Sequence, residues 1–221
     1  MKKNWLAIAG GILFVGVVAY LYSFSHFHVP AGSMVPTLQV GDRFLSKKHI
    51  DPGDIDHGDI VVFIAPHKGS FTFVKRVIGL PGDTVQIKRG RLFINGTIVP
   101  RAFVQDLAYT DYQGTARRVK EYEETLPNGR VHRIYERHDN GPAMQDNTKL
   151  FVVPEGQYFM LGDNRDASAD SRYMYDLGFI KGEWIVGKAF MTTFSLYACH
   201  EDNGPECPGG SADSRSLIDL N

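Results

Sequence analysis

The first twenty-four residues carry the longest apolar run of the chain. After Met1, Lys2, Lys3 and Asn4, an uncharged stretch extends from Trp5 to Phe24. A bilayer core is about 30 Å thick and needs about 20 apolar helical residues to cross it. The stretch is therefore predicted to be a transmembrane helix at residues 5–24. Cleavable secretory signals have a shorter apolar region and small residues in an A-x-A pattern. Here Ser25, His26, Phe27 and His28 follow instead, so a retained anchor is favoured over a cleaved signal and over a buried soluble helix.

Beyond this stretch the chain has the pattern of a β domain. Short runs rich in β-branched and aromatic residues are separated by glycine and proline, which is typical of strands joined by turns. Asn95-Gly96 lies between two such runs and predicts a hairpin over residues 91–99, because both residues tolerate the positive φ of a type I′ turn. The predicted strands lie within residues 59–64, 71–74, 84–87, 91–94, 151–154 and 158–161.

These patterns predict a mainly β fold, in which one transmembrane helix is followed by a β domain. The polar, charged residues 101–149 interrupt the strand series and are predicted to form an insertion in that domain. The tail at 196–221 has little to bury and is expected to be mobile. The predicted organisation is a cytoplasmic N-terminus at 1–4, an anchor at 5–24, a β domain at 25–100 and 150–195, the insertion and the tail.

Charge and composition exclude several classes of protein. The 221 residues include 24 Lys and Arg and 25 Asp and Glu, a formal charge of −1, so a strongly basic nucleic-acid binder is excluded and no nucleic-acid partner is expected. With 22% charged and 43% hydrophobic residues the chain is an ordinary globular one rather than a disordered one. Lys2 and Lys3 precede the predicted span, which places the N-terminus in the cytoplasm and the rest of the chain across the membrane.

Three segments contain the residues that can carry chemistry. They are Gly32-Ser33-Met34-Val35-Pro36-Thr37-Leu38, then Lys75-Arg76-Val77-Ile78-Gly79-Leu80-Pro81-Gly82-Asp83, and Gly162-Asp163-Asn164-Arg165-Asp166-Ala167-Ser168-Ala169-Asp170-Ser171-Arg172. A serine nucleophile needs a base within hydrogen-bond reach, and Ser33 and Lys75 are candidates for such a pair. A lysine acts as a base only when neutral, so the pair would require a dry site that lowers its pKa from about 10.4.

Together with Gly41-Asp42 and the N-terminal span, these segments resemble the bacterial type I signal peptidases. The resemblance implies that Ser33 is the nucleophile, Lys75 the general base and Ser168 a hydroxyl that orients the lysine amine. It implies a supporting role for four charged residues, namely Asp163, Arg165, Asp170 and Arg172. It further implies that the β domain is an antiparallel, barrel-like catalytic sheet, and that residues 101–149 form an inserted β-rich subdomain away from the site. It also implies removal of signal peptides from exported preproteins after an A-x-A site, through an acyl-enzyme, with no cofactor and no metal.

The resemblance extends to substrate binding and to location. An apolar wall would accept small substrate side chains, although each of its residues could instead be ordinary core. The wall consists of Phe27, Val29, Pro30, Met34, Leu38, Phe73 and Val74. An extended peptide is expected to add to the strand edge near Phe73–Lys75. The expected partners are the bilayer and preproteins, and the expected place is the inner membrane with the catalytic domain on the periplasmic side.

Three features leave alternatives open. Many members of the family have a hydroxyl residue two positions before the nucleophile, to hold the oxyanion, and this chain has Ala31. Cys199 and Cys207 are predicted to form a local disulfide in an oxidising compartment, with free thiols as the alternative. A maturation protease for one secreted substrate and a non-catalytic tethered binding domain are the alternative functions. Self-cleaving repressor proteases share the Ser/Lys chemistry but are soluble and bind DNA. The oligomeric state is not predicted.

Overall fold

A computed structural model describes residues 2–65, 69, 71–111, 113–138, 144–195 and 217–220. The side chains of residues 2–4, 6 and 7 lie outside this description. Cys199 and Cys207 also lie outside it, and their disulfide stays a prediction.

One N-terminal helix precedes a set of antiparallel strands. Helix α1 is followed by fourteen strands among the described residues, and all strand pairs within the sheets are antiparallel. This confirms the prediction of a mainly β, antiparallel fold. The elements are α1 (Lys2–Ser23), β1 (Phe24–His28), β2 (Asp42–Lys47), β3 (Ile60–Ile64), β4 (Thr72–Gly79), β5 (Thr84–Lys88), β6 (Arg91–Ile94), β7 (Thr97–Ile98), β8 (Arg101–Thr110), β9 (Ala116–Thr125), β10 (Val131–Glu136), β11 (Phe151–Val152), β12 (Gln157–Leu161), β13 (Ile180–Lys181) and β14 (Ile185–Ser195).

The strands form three sheets. The largest has the order β1-β2-β14-β3-β4-β12-β13 and contains the strands that flank the candidate site. A four-stranded sheet has the order β11-β5-β6-β7 and includes the predicted hairpin, with Asn95 at φ 52° and Gly96 at φ 75°. The third sheet, β10-β9-β8, comes from the segment predicted to be an insertion.

The described side chains of helix α1 lie outside the hydrophobic core. Its apolar side chains are exposed on every face, as at Ile12, Phe14 and Leu21, which are 70%, 69% and 60% exposed. Lys48 joins its last turn to the β domain: the ammonium donates to Leu21 O at 2.8 Å and the backbone N–H to Ser23 O at 2.8 Å. By length and mean hydropathy, none of the helices among the described residues qualifies as a membrane span.

The final residues belong to the core. Leu220 is buried against the cluster that contains Met34, Leu38 and Phe44. Its backbone N–H donates to Phe190 O at 2.9 Å, and Thr192 N–H donates to Ile218 O at 2.9 Å. The expectation of a wholly mobile tail is therefore wrong for residues 217–220, because a buried leucine and two backbone bonds to β14 hold them in place.

Candidate active site

The nucleophile candidate lies on a tight turn at the end of the first strand. Gly32–Met34 form one turn of 3₁₀-helix after β1, with Met34 fully buried beneath it. Lys75 comes from the middle of β4, whose last five residues are all buried. The structure thus brings together two residues that are 42 positions apart in the sequence.

Ser33 and Lys75 are in direct contact. Lys75 Nζ lies 2.6 Å from Ser33 Oγ and donates to Val74 O at 3.0 Å. Burial of the ammonium lowers the pKa of Lys75 from 10.5 to about 8, although the carboxylates of Asp170 and Asp163 act in the opposite direction. A lysine with this pKa is neutral in an appreciable fraction of molecules near neutral pH, so it can accept a proton from the serine hydroxyl.

Asp163 is held beside the dyad by an arginine and a threonine. Arg76 Nε and Nη2 donate to the two Asp163 oxygens at 2.8 and 2.6 Å, and Thr37 Oγ1 donates to Oδ2 at 2.5 Å. Burial alone would raise the pKa of Asp163, but Arg76 holds it below its usual value. The carboxylate therefore remains ionised, and its charge is compensated within the site.

Asp170 forms a second buried pair with Arg172. Arg172 Nε and Nη2 donate to it at 2.8 and 2.9 Å, and Nη2 also donates to Arg165 O at 2.6 Å. Gly162 N–H donates to the same carboxylate at 3.1 Å. Arg172 keeps the pKa of Asp170 low against the effect of burial. The supporting role implied for Asp170 and Arg172 stays a prediction.

Ser168 is close to the nucleophile but not bonded to the lysine. Its buried Oγ would lie 2.3 Å from a Cβ built on Gly162, and Ser33 O would lie 2.4 Å from the same atom. No hydrogen bond joins Ser168 Oγ to Lys75 Nζ. The orienting role of Ser168 stays a prediction.

The inserted sheet contacts the supporting loop. Glu124 of β9 pairs with both terminal nitrogens of Arg165, and Tyr109 OH of β8 accepts from Asn164 Nδ2 at 3.2 Å. Arg137 N–H donates to Asp166 at 2.6 Å. The expectation that this subdomain lies away from the site is wrong, because these residues from 101–149 hold the segment that carries Asp163 and Ser168.

The predicted substrate wall divides into two groups. Val29, Met34 and Leu38 are core side chains, at most 1% exposed. Pro30 is exposed, and three others are partly buried: Phe27, Phe73 and Val74. Substrate contact stays a prediction for Phe27, Pro30, Phe73 and Val74, whose side chains are at least partly accessible.

Several site residues were not predicted as such from the sequence. Arg76 follows Lys75 in β4, and no role was predicted for it from the sequence. Two consecutive apolar residues, Val77 and Ile78, follow it in the strand. Such a run indicates a strand that is buried on both faces, and this pattern could have predicted that Arg76 is buried. Nothing local indicates Thr37, Tyr109, Glu124 or Asn164, because their partners are distant in sequence.

A buried lysine amine in contact with a partly buried serine hydroxyl, on an antiparallel β scaffold with charge pairs behind it, is the arrangement expected of a serine peptidase. The family model described as "Signal peptidase, peptidase S26" matches residues 2–194. Signal peptidase I of Pseudomonas aeruginosa is 36% identical over 205 residues, which cover 83% of this chain and 69% of that protein. Signal peptidase I of Rickettsia conorii is 34% identical over 227 residues, 91% of this chain and 83% of that protein.

A solved signal peptidase I from Enterococcus faecalis is 27% identical, with a TM-score of 0.34, and the match covers 61% of this chain and 96% of that one. The chain belongs to the signal peptidase family S26, as a signal peptidase I that removes signal peptides. Signal peptidase I is typically a membrane protein.

Proposed function

We propose that Ser33 and Lys75 form the catalytic dyad that cuts signal peptides from preproteins. The observation that carries this proposal is the 2.6 Å contact between Ser33 Oγ and a buried lysine amine whose pKa is about 8. The neutral amine removes the hydroxyl proton as Oγ attacks the carbonyl carbon before the cut. The protonated amine then gives this proton to the leaving nitrogen of the mature chain.

The signal peptide remains as an ester on Ser33. Lys75, again neutral, takes a proton from a water that attacks the acyl carbon. As the bond between that carbon and Ser33 Oγ breaks, the protonated amine returns the proton to Oγ, which regenerates the serine hydroxyl and the neutral lysine. The negative charge on the carbonyl oxygen in each step requires a hydrogen-bond donor. Ser33 N–H lies in the first turn of a helix, where N–H groups lack partners within the helix, so it is the donor that we assign.

The substrate adds as a strand to β4. The backbone N–H and C=O of Val77 both face the β3 side of β4, where they bond to Asp59 O and Gly58 N–H. Because these groups point to opposite sides at alternate residues of a strand, the N–H and C=O of Val74 face away from β3. On that side β12 pairs with β4 only as far as Arg76, opposite Leu161. Among the described residues the edge at Thr72–Lys75 is open, beside Phe73 and Val74. An extended peptide there presents its carbonyl to Ser33, and the close apolar wall favours small side chains in an A-x-A pattern.

Cleavage of a preprotein with an A-x-A site tests the dyad. The protein in detergent should cut it, and Ser33→Ala and Lys75→Ala should each lose at least about 10³-fold in turnover. Lys88→Ala, an exposed lysine, is the matched control and should cut normally. Uncut substrate with the unmodified protein would contradict the proposed substrate and favour the binding-domain alternative. Full cleavage by both dyad variants would contradict the residue assignment.

We propose further that α1 anchors the protein in the inner membrane, with Lys2 and Lys3 in the cytoplasm and the β domain on the periplasmic side. The support is an uncharged helix, from Trp5 onward, whose apolar side chains are exposed on every face. Residues 24–28 continue directly from α1 into β1, so the proposed anchor would hold Ser33 close to the bilayer. We expect the protein to resist alkaline extraction from membranes and the β domain to be protease-sensitive only from the periplasmic side. Release by alkali would contradict the anchor.

A further inference from the structure

Asn164 donates two hydrogen bonds to the turn that carries Ser33, one from its side chain and one from its backbone. Its side-chain Nδ2 donates to Gly32 O at 3.1 Å, and its backbone N–H donates to Ser33 O at 3.1 Å. Asn164 itself is 2% exposed. Two consecutive carbonyls on either side of the nucleophile are thus held by one residue.

The bond to Gly32 O acts on the peptide that contains Ser33 N–H. The carbonyl of Gly32 and the N–H of Ser33 belong to one planar unit, so fixing the oxygen fixes the direction of the N–H. A hydrogen bond to the carbonyl also polarises the amide and strengthens its N–H as a donor. Because residue 31 is alanine, no side-chain hydroxyl at that position can donate to the oxyanion, so stabilisation of the oxyanion depends more on the Ser33 N–H.

Tyr109 holds the Asn164 side chain in this orientation. A side-chain amide has two N–H groups; one reaches Gly32 O and the other reaches Tyr109 OH at 3.2 Å. Tyr109 is itself fixed, since it is buried in a cluster with Val35 and lies 5.8 Å, ring to ring, from Tyr135. The inserted sheet thereby reaches the nucleophile through one hydroxyl and one amide.

We infer that Asn164 is a positioning residue that aims and polarises the Ser33 N–H as the oxyanion donor, with Tyr109 fixing the Asn164 amide. The inference rests on the proposed role of Ser33 as nucleophile. It assigns to the inserted sheet a part in catalysis and explains how the site operates with Ala31.

The first test measures kcat and KM separately on the full chain in detergent. Asn164→Ala should lower kcat about 10- to 100-fold with KM nearly unchanged, since a misaimed donor affects the transition state more than the bound substrate. Tyr109→Phe removes only the hydroxyl and should lower kcat about 2- to 10-fold by the same reasoning. Asn128→Ala is the matched control: its Nδ2 also donates to a backbone carbonyl, His57 O at 2.8 Å, and its loss should leave kcat unchanged.

The second test asks whether Asn164 acts through the oxyanion. Ala31→Ser adds a side-chain donor and should raise kcat by a larger factor in the Asn164→Ala background than in the unmodified chain. A role in folding alone would give equal factors in both backgrounds. Equal factors, or a loss confined to KM, would overturn the inference.

The controls separate this inference from the dyad proposal. If Ser33→Ala still cuts at the normal rate, the proposed function fails, whereas an inactive Ser33→Ala with an unaffected kcat in Asn164→Ala overturns only the role of Asn164. If Asn164→Ala does not fold, as judged by its thermal transition, Tyr109→Phe decides. An unchanged kcat in that variant then overturns the inference.

Discussion

At the scale of single residues, the proposed chemistry depends on whether one buried amine, that of Lys75, is neutral or protonated. Lys75 is 4% exposed and has two buried carboxylates nearby, each paired with an arginine. Burial dominates because Arg76 and Arg172 compensate those carboxylates, and the pKa falls to about 8. An uncompensated carboxylate at either position would favour the ammonium and remove the base.

Cleavage is expected to depend on pH through the Lys75 amine. Because only the neutral amine can accept the proton, kcat/KM should rise about tenfold per pH unit in acid and level off above about pH 8. Steady-state cleavage of an A-x-A preprotein from pH 6 to 10 measures this limb. Glu136→Gln is the control, because burial also raises the pKa of Glu136, to about 7, and its removal should not shift the limb. A limb near pH 10.5 would show that the lysine is not desolvated.

At the scale of elements, the end of β12 fits against the nucleophile turn without room for a side chain. A Cβ on Gly162 would lie 2.4 Å from the backbone oxygen of Ser33 and 2.3 Å from Ser168 Oγ. Neither distance is tolerable, so a substitution must move the turn that carries the nucleophile.

Gly162→Ala should therefore lower kcat/KM about 10²-fold or more, because a displacement of about 1 Å in a reacting group is enough for such a loss. Gly53→Ala is the matched control, since its Cβ would meet only Asp51 Oδ1 at 3.5 Å. Cleavage rates and the thermal transition of both variants make the comparison. Normal activity in Gly162→Ala would contradict this expectation, because it would show that the Ser33 turn can move to admit the methyl group without slowing cleavage.

Some strands could be predicted from local sequence patterns and others could not. Strands β3, β5 and β6 were predictable because each is a short run rich in β-branched or aromatic residues, and turn residues separate these runs. Strand β9 was not, because it is charged, and Glu121 and Glu124 are buried there through pairing with arginines. Its contact with the supporting loop depends on a partner 41 residues away, which no local pattern records. Ser33 and Lys75 were identified by resemblance, whereas their contact required the fold.

At the scale of the whole molecule, the last described residues complete the core under the nucleophile. Leu220 packs in the cluster that includes Met34, the neighbour of Ser33, and Leu38. The segment at residues 217–220 thus contributes to the cluster beneath the Ser33 turn, and we expect its packing to stabilise the fold.

Leu220→Ala should lower the free energy of unfolding by about 2–4 kcal/mol, as is usual when a buried leucine is truncated. Leu217→Ala, at 70% exposure in the same segment, should change it by less than about 0.5 kcal/mol. Urea unfolding of both variants in detergent measures the difference. Equal, small effects would show that the segment does not pack against the core in solution.

The central claim, that Ser33 is acylated by the signal peptide, is tested most directly by trapping the intermediate. An A-x-A preprotein is mixed with the protein at pH 9, quenched in acid within the first turnover and mapped by mass spectrometry. The account predicts the signal peptide as an ester on the peptide containing Ser33, absent from Ser33→Ala. An adduct on another residue, or cleavage at the normal rate by Ser33→Ala, would contradict it.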